Sequence, residues 1–291
     1  MIFGIIANLS KSAVKEILPD FLQRLHTRSI SAVVTQEIAS RFDLNPQHFP
    51  AYPENQLGEH CDLVIAFGGD GTILSTAAVI SPMDVPILGV NIGRFGFLAE
   101  ISISELYEKL DDLIAGNFLI EDRMALEATV VHPSENNKNH YFAFNDVVLD
   151  KGGFSRTILI ETYIDEEYLN TYNADGLMIC TPTGSTAYSL SAGGPLLTPD
   201  MKALVITPIC PHSLSQRPLV IRDDKVVKIK AWSEKREMLF SVDGQDVLNI
   251  TEDHVIQVRK AKKPVKLVKC SGKSFYQVLR TKLNWGEFPK K

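Results

Sequence analysis

A run of glycines around a single acidic residue is the part of this sequence best suited to phosphate chemistry. Residues 68–72 read Gly-Gly-Asp-Gly-Thr and follow an apolar run at 61–67 that predicts a buried strand. Glycines at the C-terminal end of a strand let the backbone approach a polyphosphate, and the start of a following helix offers N–H donors to it. A carboxylate among phosphates is unfavourable unless it binds a metal ion or accepts a proton, so we interpret Asp70 as a general base in phosphoryl transfer. The alternative is a tight turn in which Asp70 bonds to its own backbone.

A second glycine-containing segment follows the next predicted strand, at 85–90. Residues 91–98 read Asn-Ile-Gly-Arg-Phe-Gly-Phe-Leu. Loops at the C-terminal ends of two parallel strands converge on one crevice, so we expect this segment to meet residues 68–72. Arg94 either pairs with a phosphate or faces solvent, and Phe97 either lines a nucleotide pocket or belongs to the core.

Two adjacent polar residues interrupt an apolar run in the middle of the chain. Asn145 and Asp146 lie inside the predicted strand at 141–149, so one of the two side chains points to the buried face. A buried amide or carboxylate needs hydrogen-bond partners. Ribose hydroxyls or adenine are suitable partners, and a bulge with internal hydrogen bonds is the alternative.

The largest concentration of small polar residues lies at 173–195. Its glycines and short hydroxyl side chains suit a polar ligand that carries a ring, and Tyr188 offers a stacking face. A purely structural loop is the alternative, although long loops in compact domains are usually functional. His212 is either a general acid, a ligand or a structural residue, and Asp243-Gly244-Gln245 is typical of a hairpin turn.

The elements that must position these residues fall into two groups. Through residue 118, apolar runs alternate with amphipathic segments, which predicts βαβ units and a parallel sheet. From about residue 120, short strand-like runs follow one another with almost no helix, which predicts an all-β domain. A helical stripe at 275–285 is expected to return to the first domain. We therefore predict an α/β domain at 1–118 plus 268–291 and a β-rich domain at 119–267.

Composition and charge narrow the functional class. The chain has 291 residues, of which 45% are hydrophobic and 22% charged, as expected for a folded protein of two domains. Its net charge of −5 argues against nucleic acid or an anionic membrane as a partner. The cysteines and histidines follow no metal-ligand spacing, so no metal site is predicted. Unpaired cysteines, no basic leader and no stretch of roughly 18 apolar residues predict a cytoplasmic protein.

Taken together, these motifs resemble the bacterial NAD kinase family. They occur in the family's order at 68–72, 91–98, 144–146, 174–195, 210–218 and 243–245. The first motif is shared with diacylglycerol and sphingosine kinases, whereas the segment 174–195 is highly specific. The resemblance implies a Rossmann-like α/β domain, a β-rich sandwich-like domain and a C-terminal helix that returns to the first.

The same resemblance implies a reaction and a set of site residues. Family members transfer the γ-phosphoryl group of ATP, with Mg²⁺ carried on the nucleotide, to the 2′-hydroxyl of the adenosine ribose of NAD, giving NADP and ADP. It implies that Asp70 is the proton acceptor. It also implies homodimers or homotetramers. The residues that it places in contact with nucleotide are Asp70, Gly71, Asn145, Asp146, Arg156, Asn173, Asp175, Thr186, Ala187, Tyr188, Ser189, Leu190, Ser191 and Gln245. Asn173 stands where many relatives carry Arg.

Two other functions are compatible with part of the pattern. A lipid kinase of the diacylglycerol or sphingosine type shares the motif at 68–72, but the net negative charge and the polar segment 174–195 count against it. A non-catalytic dinucleotide sensor is the other alternative, against which the intact Asp70 counts. Whether ATP or inorganic polyphosphate is the donor, and whether NAD or NADH is the acceptor, stays open at this point.

Overall fold

A computed structural model describes residues 1–93, 96–132, 138–153, 156–234 and 238–285. The chain divides into two compact units, residues 1–122 with 265–291 and residues 123–264. The strands are β1 Phe3–Ala7, β2 Ala32–Thr35, β3 Ala51–Tyr52, β4 Leu63–Gly68, β5 Ile87–Asn91, β6 Ile101–Ser102, β7 Leu119–Arg123, β8 Leu126–Val131, β9 Lys138–Ala143, β10 Asp146–Asp150, β11 Ile158–Ile164, β12 Glu167–Ala174, β13 Gly176–Cys180, β14 Ala203–Ile209, β15 Leu219–Arg222, β16 Val227–Trp232, β17 Met238–Val242, β18 Asp246–Ile250, β19 Val255–Lys260 and β20 Val265–Lys269. The α-helices are α1 Ser12–Thr27, α2 Gln36–Phe42, α3 Asp70–Ile80, α4 Ile103–Ala115, α5 Tyr188–Ser191 and α6 Phe275–Leu283.

The first unit is built on a mainly parallel sheet. Within the described residues its order is β3-β2-β1-β4-β5-β20-β7, and β6 pairs with β5. Strands β2, β4 and β5 are buried along their whole length, which explains why they read as continuous apolar runs. Because β1, β4 and β5 are parallel neighbours, their C-terminal ends lie side by side. The predicted α/β class is confirmed.

The second unit contains two antiparallel sheets. Their orders in the described chain are β15-β14-β13-β10-β17-β18 and β12-β11-β16-β19-β8-β9. Buried and partly exposed residues alternate along β8, β16 and β17, as expected for strands with one face on a core. The two sheets share one apolar core. Leu149 on β10 and Phe240 on β17 belong to one sheet, and Ile160 on β11 and Val258 on β19 belong to the other. This arrangement is the predicted sandwich-like, β-rich architecture.

The strand predicted at 141–149 is interrupted, so this expectation was wrong. The run forms β9 and β10, which belong to different sheets of the second unit. Residues 144 and 145 make the corner between them. The backbone N–H groups of residues 144–146 donate to the Asp243 carboxylate instead of to a neighbouring strand, which is why the ladder stops there.

The final strand of the chain, β20, lies in the parallel sheet of the first unit. β20 runs parallel to β5, with Leu267 opposite Ile87. A buried carboxylate, Glu100, fixes the segment that follows: it accepts hydrogen bonds from the N–H groups of Cys270 at 2.9 Å and Ser271 at 2.8 Å. The Ser271 hydroxyl and the Lys269 ammonium also donate to Glu100. Glu100 therefore anchors the C-terminal segment in the first unit.

Replacing Glu100 by Gln is expected to destabilise the protein at neutral pH. Burial by itself raises the pKa of Glu100, but the hydrogen bonds from Lys269 and Ser271 outweigh it, and its pKa is lowered from 4.5. A lowered folded-state pKa means that the stabilisation is present above pH 4.5 and is lost as the pH falls below that value. We expect the free energy of unfolding to fall by about 1–3 kcal/mol, because the hydrogen bonds from a charged partner are weakened.

Urea denaturation of the wild type and of Glu100→Gln, at neutral and at acidic pH, measures the difference in their free energies of unfolding. This difference should shrink as the wild-type Glu100 carboxylate protonates. Glu108→Gln, at an exposed position of α4, is the matched control. A difference that stays constant down to low pH, or one equal to that of the control, would contradict the anchoring role.

Candidate active site

Asp70 is the first residue of helix α3. Gly69 is its N-cap, and the carbonyl of Gly69 accepts the N–H groups of Thr72 at 3.0 Å and Ile73 at 3.2 Å. Asp70, Gly71 and Thr72 therefore belong to the first turn of the helix. Gly69 alone separates β4 from the helix, and Asp70 lies at the positive end of the helix.

The Asp70 carboxylate is held by the segment that follows the neighbouring strand β5. The N–H of Phe97 donates to its Oδ2 at 2.8 Å and the N–H of Leu98 to its Oδ1 at 3.1 Å. A Cβ atom on Gly96 would lie 1.8 Å from Asp70 Oδ1, so this position tolerates glycine alone. The two glycine-containing segments therefore meet, as predicted from parallel strands. Arg94 lies outside the described residues.

The surroundings of Asp70 combine open space with a buried acceptor. A Cβ atom on Gly71 would meet no other atom within 4 Å, so the start of α3 is accessible. Asn91, at the end of β5, is only 8% exposed. Its Nδ2 donates to the carbonyl of Gly93 at 2.9 Å, and its Oδ1 has no hydrogen-bond partner among the described residues. The first unit thus presents a fixed carboxylate, an accessible glycine and an unused amide oxygen.

In the second unit, Asn145 and Asp146 occupy the corner between β9 and β10. Both side chains are buried, at 9% and 5% exposure. The Asp243 carboxylate accepts the N–H groups of Phe144, Asn145 and Asp146 at 2.8, 2.7 and 3.0 Å. Asp243 therefore positions the pair. Sequence reasoning missed this role, because Asp243-Gly244 reads as an ordinary hairpin turn.

The environment of Asp146 changes its titration. Burial, followed by the negative charge of Asp243, raises the pKa of Asp146 from 3.8 to about 7. Near neutral pH its carboxyl group can therefore donate a hydrogen bond when protonated or accept one when ionised. Such a raised pKa is typical of functional carboxyl groups.

The segment after β13 packs against this corner. The N–H of Thr181 donates to the carbonyl of Asn145 at 2.9 Å, and the Thr181 hydroxyl donates to the carbonyl of Phe144 at 2.8 Å. A Cβ atom on Gly184 would lie 2.3 Å from the Asn145 carbonyl oxygen, so close approach requires glycine here. The structure thus brings the motifs at 144–146, 181–191 and 243–245 together within the second unit.

Residues 186–191 divide into buried and accessible positions. Ser189 is fully buried, and its hydroxyl lies 3.3 Å from that of Thr207, so the side chain has an internal partner. Tyr188 is 48% exposed and Ser191 is also exposed. The intermediate positions are Thr186, Ala187 and Leu190. Tyr188 is the accessible aromatic face of this segment.

The remaining candidates are partly or fully exposed positions of the second unit, and Gln245 belongs to the same turn as Asp243. Lys151 Nζ lies 2.8 Å from the carboxylate of Asp175. Asn173 is exposed on β12, Arg156 forms an exposed ion pair with Glu234, and Gln245 is exposed in the turn after β17. These residues are accessible, but none of the contacts described for them joins them to Asn145 or Asp146.

Comparison with known proteins identifies the family. The chain matches two family models, the ATP-NAD kinase N-terminal domain over residues 3–118 and the ATP-NAD kinase C-terminal domain over residues 144–270. The chain belongs to the NAD kinase family. The NAD kinase of Moorella thermoacetica is 40% identical over 287 residues, which are 97% of this chain and 89% of that protein. The NAD kinase of Natranaerobius thermophilus is also 40% identical, over 98% of each chain.

Solved structures of NAD kinases have the same fold. The yeast NADH kinase complexed with NADH aligns with a TM-score of 0.87 and 28% identity, over 100% of this chain and 89% of that chain. An Archaeoglobus fulgidus NAD kinase in complex with ATP aligns with a TM-score of 0.73 and 21% identity, over 98% and 99% of the two chains. The protein is an NAD kinase, as its motifs predicted, and the lipid kinase and sensor alternatives are not favoured. None of the helices in the described ranges is long and apolar enough to cross a membrane.

Proposed function

We propose that Asp70 accepts the proton from the 2′-hydroxyl of the adenosine ribose of NAD while the γ-phosphoryl group of ATP is transferred to it. The observation that carries this proposal is the fixed orientation of the Asp70 carboxylate by the N–H groups of Phe97 and Leu98. Each carboxylate oxygen accepts one of these bonds and keeps a further lone pair for a hydroxyl proton. The accessible Gly71 beside it leaves room for the nucleotide.

Assays with purified protein test the reaction. ATP, Mg²⁺ and NAD should yield NADP and ADP, whereas ATP, Mg²⁺ and diacylglycerol should yield no phospholipid. Replacing NAD by NADH and ATP by inorganic polyphosphate in the same assay ranks the acceptors and donors. Absence of NADP from every combination would reject the proposed reaction.

For the dinucleotide, we propose a site on the second unit. Asn145 and Asp146, fixed by Asp243, hold the ribose and adenine, and Tyr188 packs against a ring. Two observations support these roles. Asn145 and Asp146 are buried polar residues at one corner, and the exposed Tyr188 lies on the segment that packs against this corner. Further contacts on this unit are proposed for Arg156, Asn173, Asp175, Thr186, Ala187, Ser189, Leu190, Ser191 and Gln245, whereas Gly71 is a proposed nucleotide contact of the first unit.

Replacing Tyr188 by Ala should raise the KM for NAD more than the KM for ATP. Loss of ring packing costs about 0.5–1.5 kcal/mol beyond area burial, which corresponds to roughly several-fold to tenfold weaker NAD binding. Initial rates with each substrate varied in turn measure both constants. Tyr168→Ala, at another exposed tyrosine of the second unit, is the control. A raised KM for ATP with an unchanged KM for NAD would contradict the assignment.

We infer that Mg²⁺ is bound mainly through the phosphates of the nucleotide. Mg²⁺ keeps several waters when it binds nucleotides, so its protein partners are often acceptors for those waters. The unused Oδ1 of Asn91, buried at the strand end next to Gly68, fits such a role. When bound, the ion neutralises negative charge on the phosphates.

We also propose a homodimer or homotetramer in the cytoplasm. Exposed Leu219 and Val220 on the edge strand β15, with Leu214 91% exposed nearby in sequence, support contact with a second copy.

The four cysteines, Cys61, Cys180, Cys210 and Cys270, are all free thiols, which fits a reducing compartment.

A further inference from the structure

The turn between β1 and α1 is fixed beside the end of β4. The N–H of Asn8 donates to the carbonyl of Phe67 at 3.0 Å. The Asn8 side-chain oxygen accepts the N–H of Ser10 at 3.0 Å, and the N–H of Lys11 donates to the Asn8 carbonyl at 3.2 Å. These bonds hold the backbone of Lys11, the N-cap residue of α1, next to the glycine turn that leads to Asp70.

The Lys11 ammonium lies over this glycine turn. Its Nζ is 3.3 Å from the position that a Cβ atom on Gly69 would occupy. Gly69 directly precedes Asp70, and Gly71 on the other side of Asp70 borders open space. A positive charge therefore stands beside the accessible end of α3, within the same unit as the proposed base.

Within the described residues, the Lys11 ammonium has no carboxylate partner within ion-pair distance, although its side chain is half-buried. Four other half-buried lysines of the first unit, namely Lys109, Lys266, Lys269 and Lys273, each pair with a carboxylate. Half-buried Lys282 resembles Lys11 in having no ion pair among the described residues.

The position of Lys11 also opposes the rules for a helix start. An N-cap is normally a residue whose side chain accepts a backbone N–H, and acidic residues are favoured in the first turn. Lys11 makes no side-chain cap, and the first turn of α1 contains no acidic residue. Local preferences are typically broken where function requires it, and here a bound anion would remove the conflict.

We propose that Lys11 binds a phosphate group of the donor nucleotide, a role that rests on the proposed function of Asp70. An ammonium offers three N–H donors, and phosphate oxygens are strong charged acceptors. The transferred phosphoryl group has to approach Asp70, so a cation over Gly69 lies where the donor's phosphate chain carries its charge. The dinucleotide's adenosine is assigned to the second unit, so Lys11 should affect the donor selectively.

Lys11→Gln tests this assignment. The KM for ATP should rise by about 10- to 100-fold, the effect of losing a hydrogen bond to a charged group, while the KM for NAD changes little. Inorganic tripolyphosphate, used as a competitive inhibitor against ATP, should lose affinity by a similar factor, because it shares only the phosphate chain. Lys11→Arg, which keeps the charge, should recover part of the lost affinity.

Two controls separate binding from folding and net charge. Lys282→Gln changes the net charge equally at another half-buried lysine of the first unit and should leave both KM values unchanged. The Tm of Lys11→Gln should be unchanged or slightly higher, because a cation is removed from a helix N-terminus.

Unchanged ATP and tripolyphosphate affinities in Lys11→Gln would overturn the inference, as would a selective rise in the KM for NAD. Both outcomes presuppose that the wild-type protein makes NADP. If it does not, the proposed function fails instead, so the two failures are distinguishable.

Discussion

Asp70→Asn should lower kcat by about 10²–10⁴-fold, the usual contribution of a general base, and this is the largest effect that we expect. The ribose hydroxyl is a poor nucleophile near neutral pH, and an amide cannot accept its proton. Asn keeps the size of the side chain and one acceptor oxygen. It therefore retains one of the two hydrogen bonds from Phe97 and Leu98, and its NH₂ group opposes the other.

The loss of one hydrogen bond gives this variant a separate structural signature. We expect the free energy of unfolding to fall by only about 1 kcal/mol, with the KM for NAD nearly unchanged. Steady-state kinetics corrected for the folded fraction separate the two effects. Asp62→Asn is the matched control, because Asp62 precedes the same strand β4 and its carboxylate accepts the N–H of Ile2 at 2.7 Å.

A turnover number close to wild type, with an unchanged pH profile, would remove Asp70 from the proton transfer. Residues 68–72 would then serve only to bind phosphate. A large loss of stability with normal turnover per folded molecule would assign Asp70 to the turn instead.

Asp146→Asn should stabilise the protein above neutral pH while it weakens NAD binding. The folded-state pKa of Asp146, about 7, lies above the ordinary value of 3.8, because the side chain is buried next to Asp243. The folded protein therefore binds this proton more tightly than the unfolded chain. The stability that protonated Asp146 contributes is complete below pH 3.8 and is lost as the pH rises to about 7.

The amide introduced by Asp146→Asn does not titrate. The difference in the free energy of unfolding between this variant and the wild type should therefore grow as the pH rises to neutrality. We expect a gain of about 2–4 kcal/mol in the free energy of unfolding above pH 7. The same substitution removes a charged acceptor for the nucleotide, and the Kd for NAD should rise by about 10- to 100-fold. A residue that serves binding often lowers the stability of the folded protein, because it keeps a polar group buried.

Urea denaturation below, at and above neutral pH measures the free energy of unfolding of both proteins. Calorimetric titration with NAD measures the Kd. Asp253→Asn, at an exposed position of the second unit, controls for the change in net charge. Parallel curves of stability against pH for wild type and Asp146→Asn would show that Asp146 does not titrate near neutrality. Unchanged NAD affinity would remove Asp146 from the dinucleotide site.

The family, the fold class and the main candidate residues could be predicted from local features of the chain. Apolar runs followed by glycines predicted the parallel strands β4 and β5, because strands buried on both faces read as continuous apolar segments. Helix α4 carries Leu106, Leu110 and Leu113 at helical spacing and is followed by Gly116, so its signals are also local ones. These signals are local, so a single pass along the chain detects them.

The contacts that fix Asp70 in the first unit and Asn145 in the second come from residues far away in the sequence and could not be predicted from it. The Asp243 carboxylate meets the N–H of Asn145 across 98 residues, and the Asp70 carboxylate meets Phe97 across 27. Neither contact has a local pattern, since each depends on which strands become neighbours. The same holds for Lys11, whose ammonium reaches Gly69 only because β1 and β4 pair in parallel. Periodicity encodes which face of an element is buried, whereas strand order is set by the packing of the whole sheet, and that order decides which distant groups lie beside Asp70, Asn145 and Lys11.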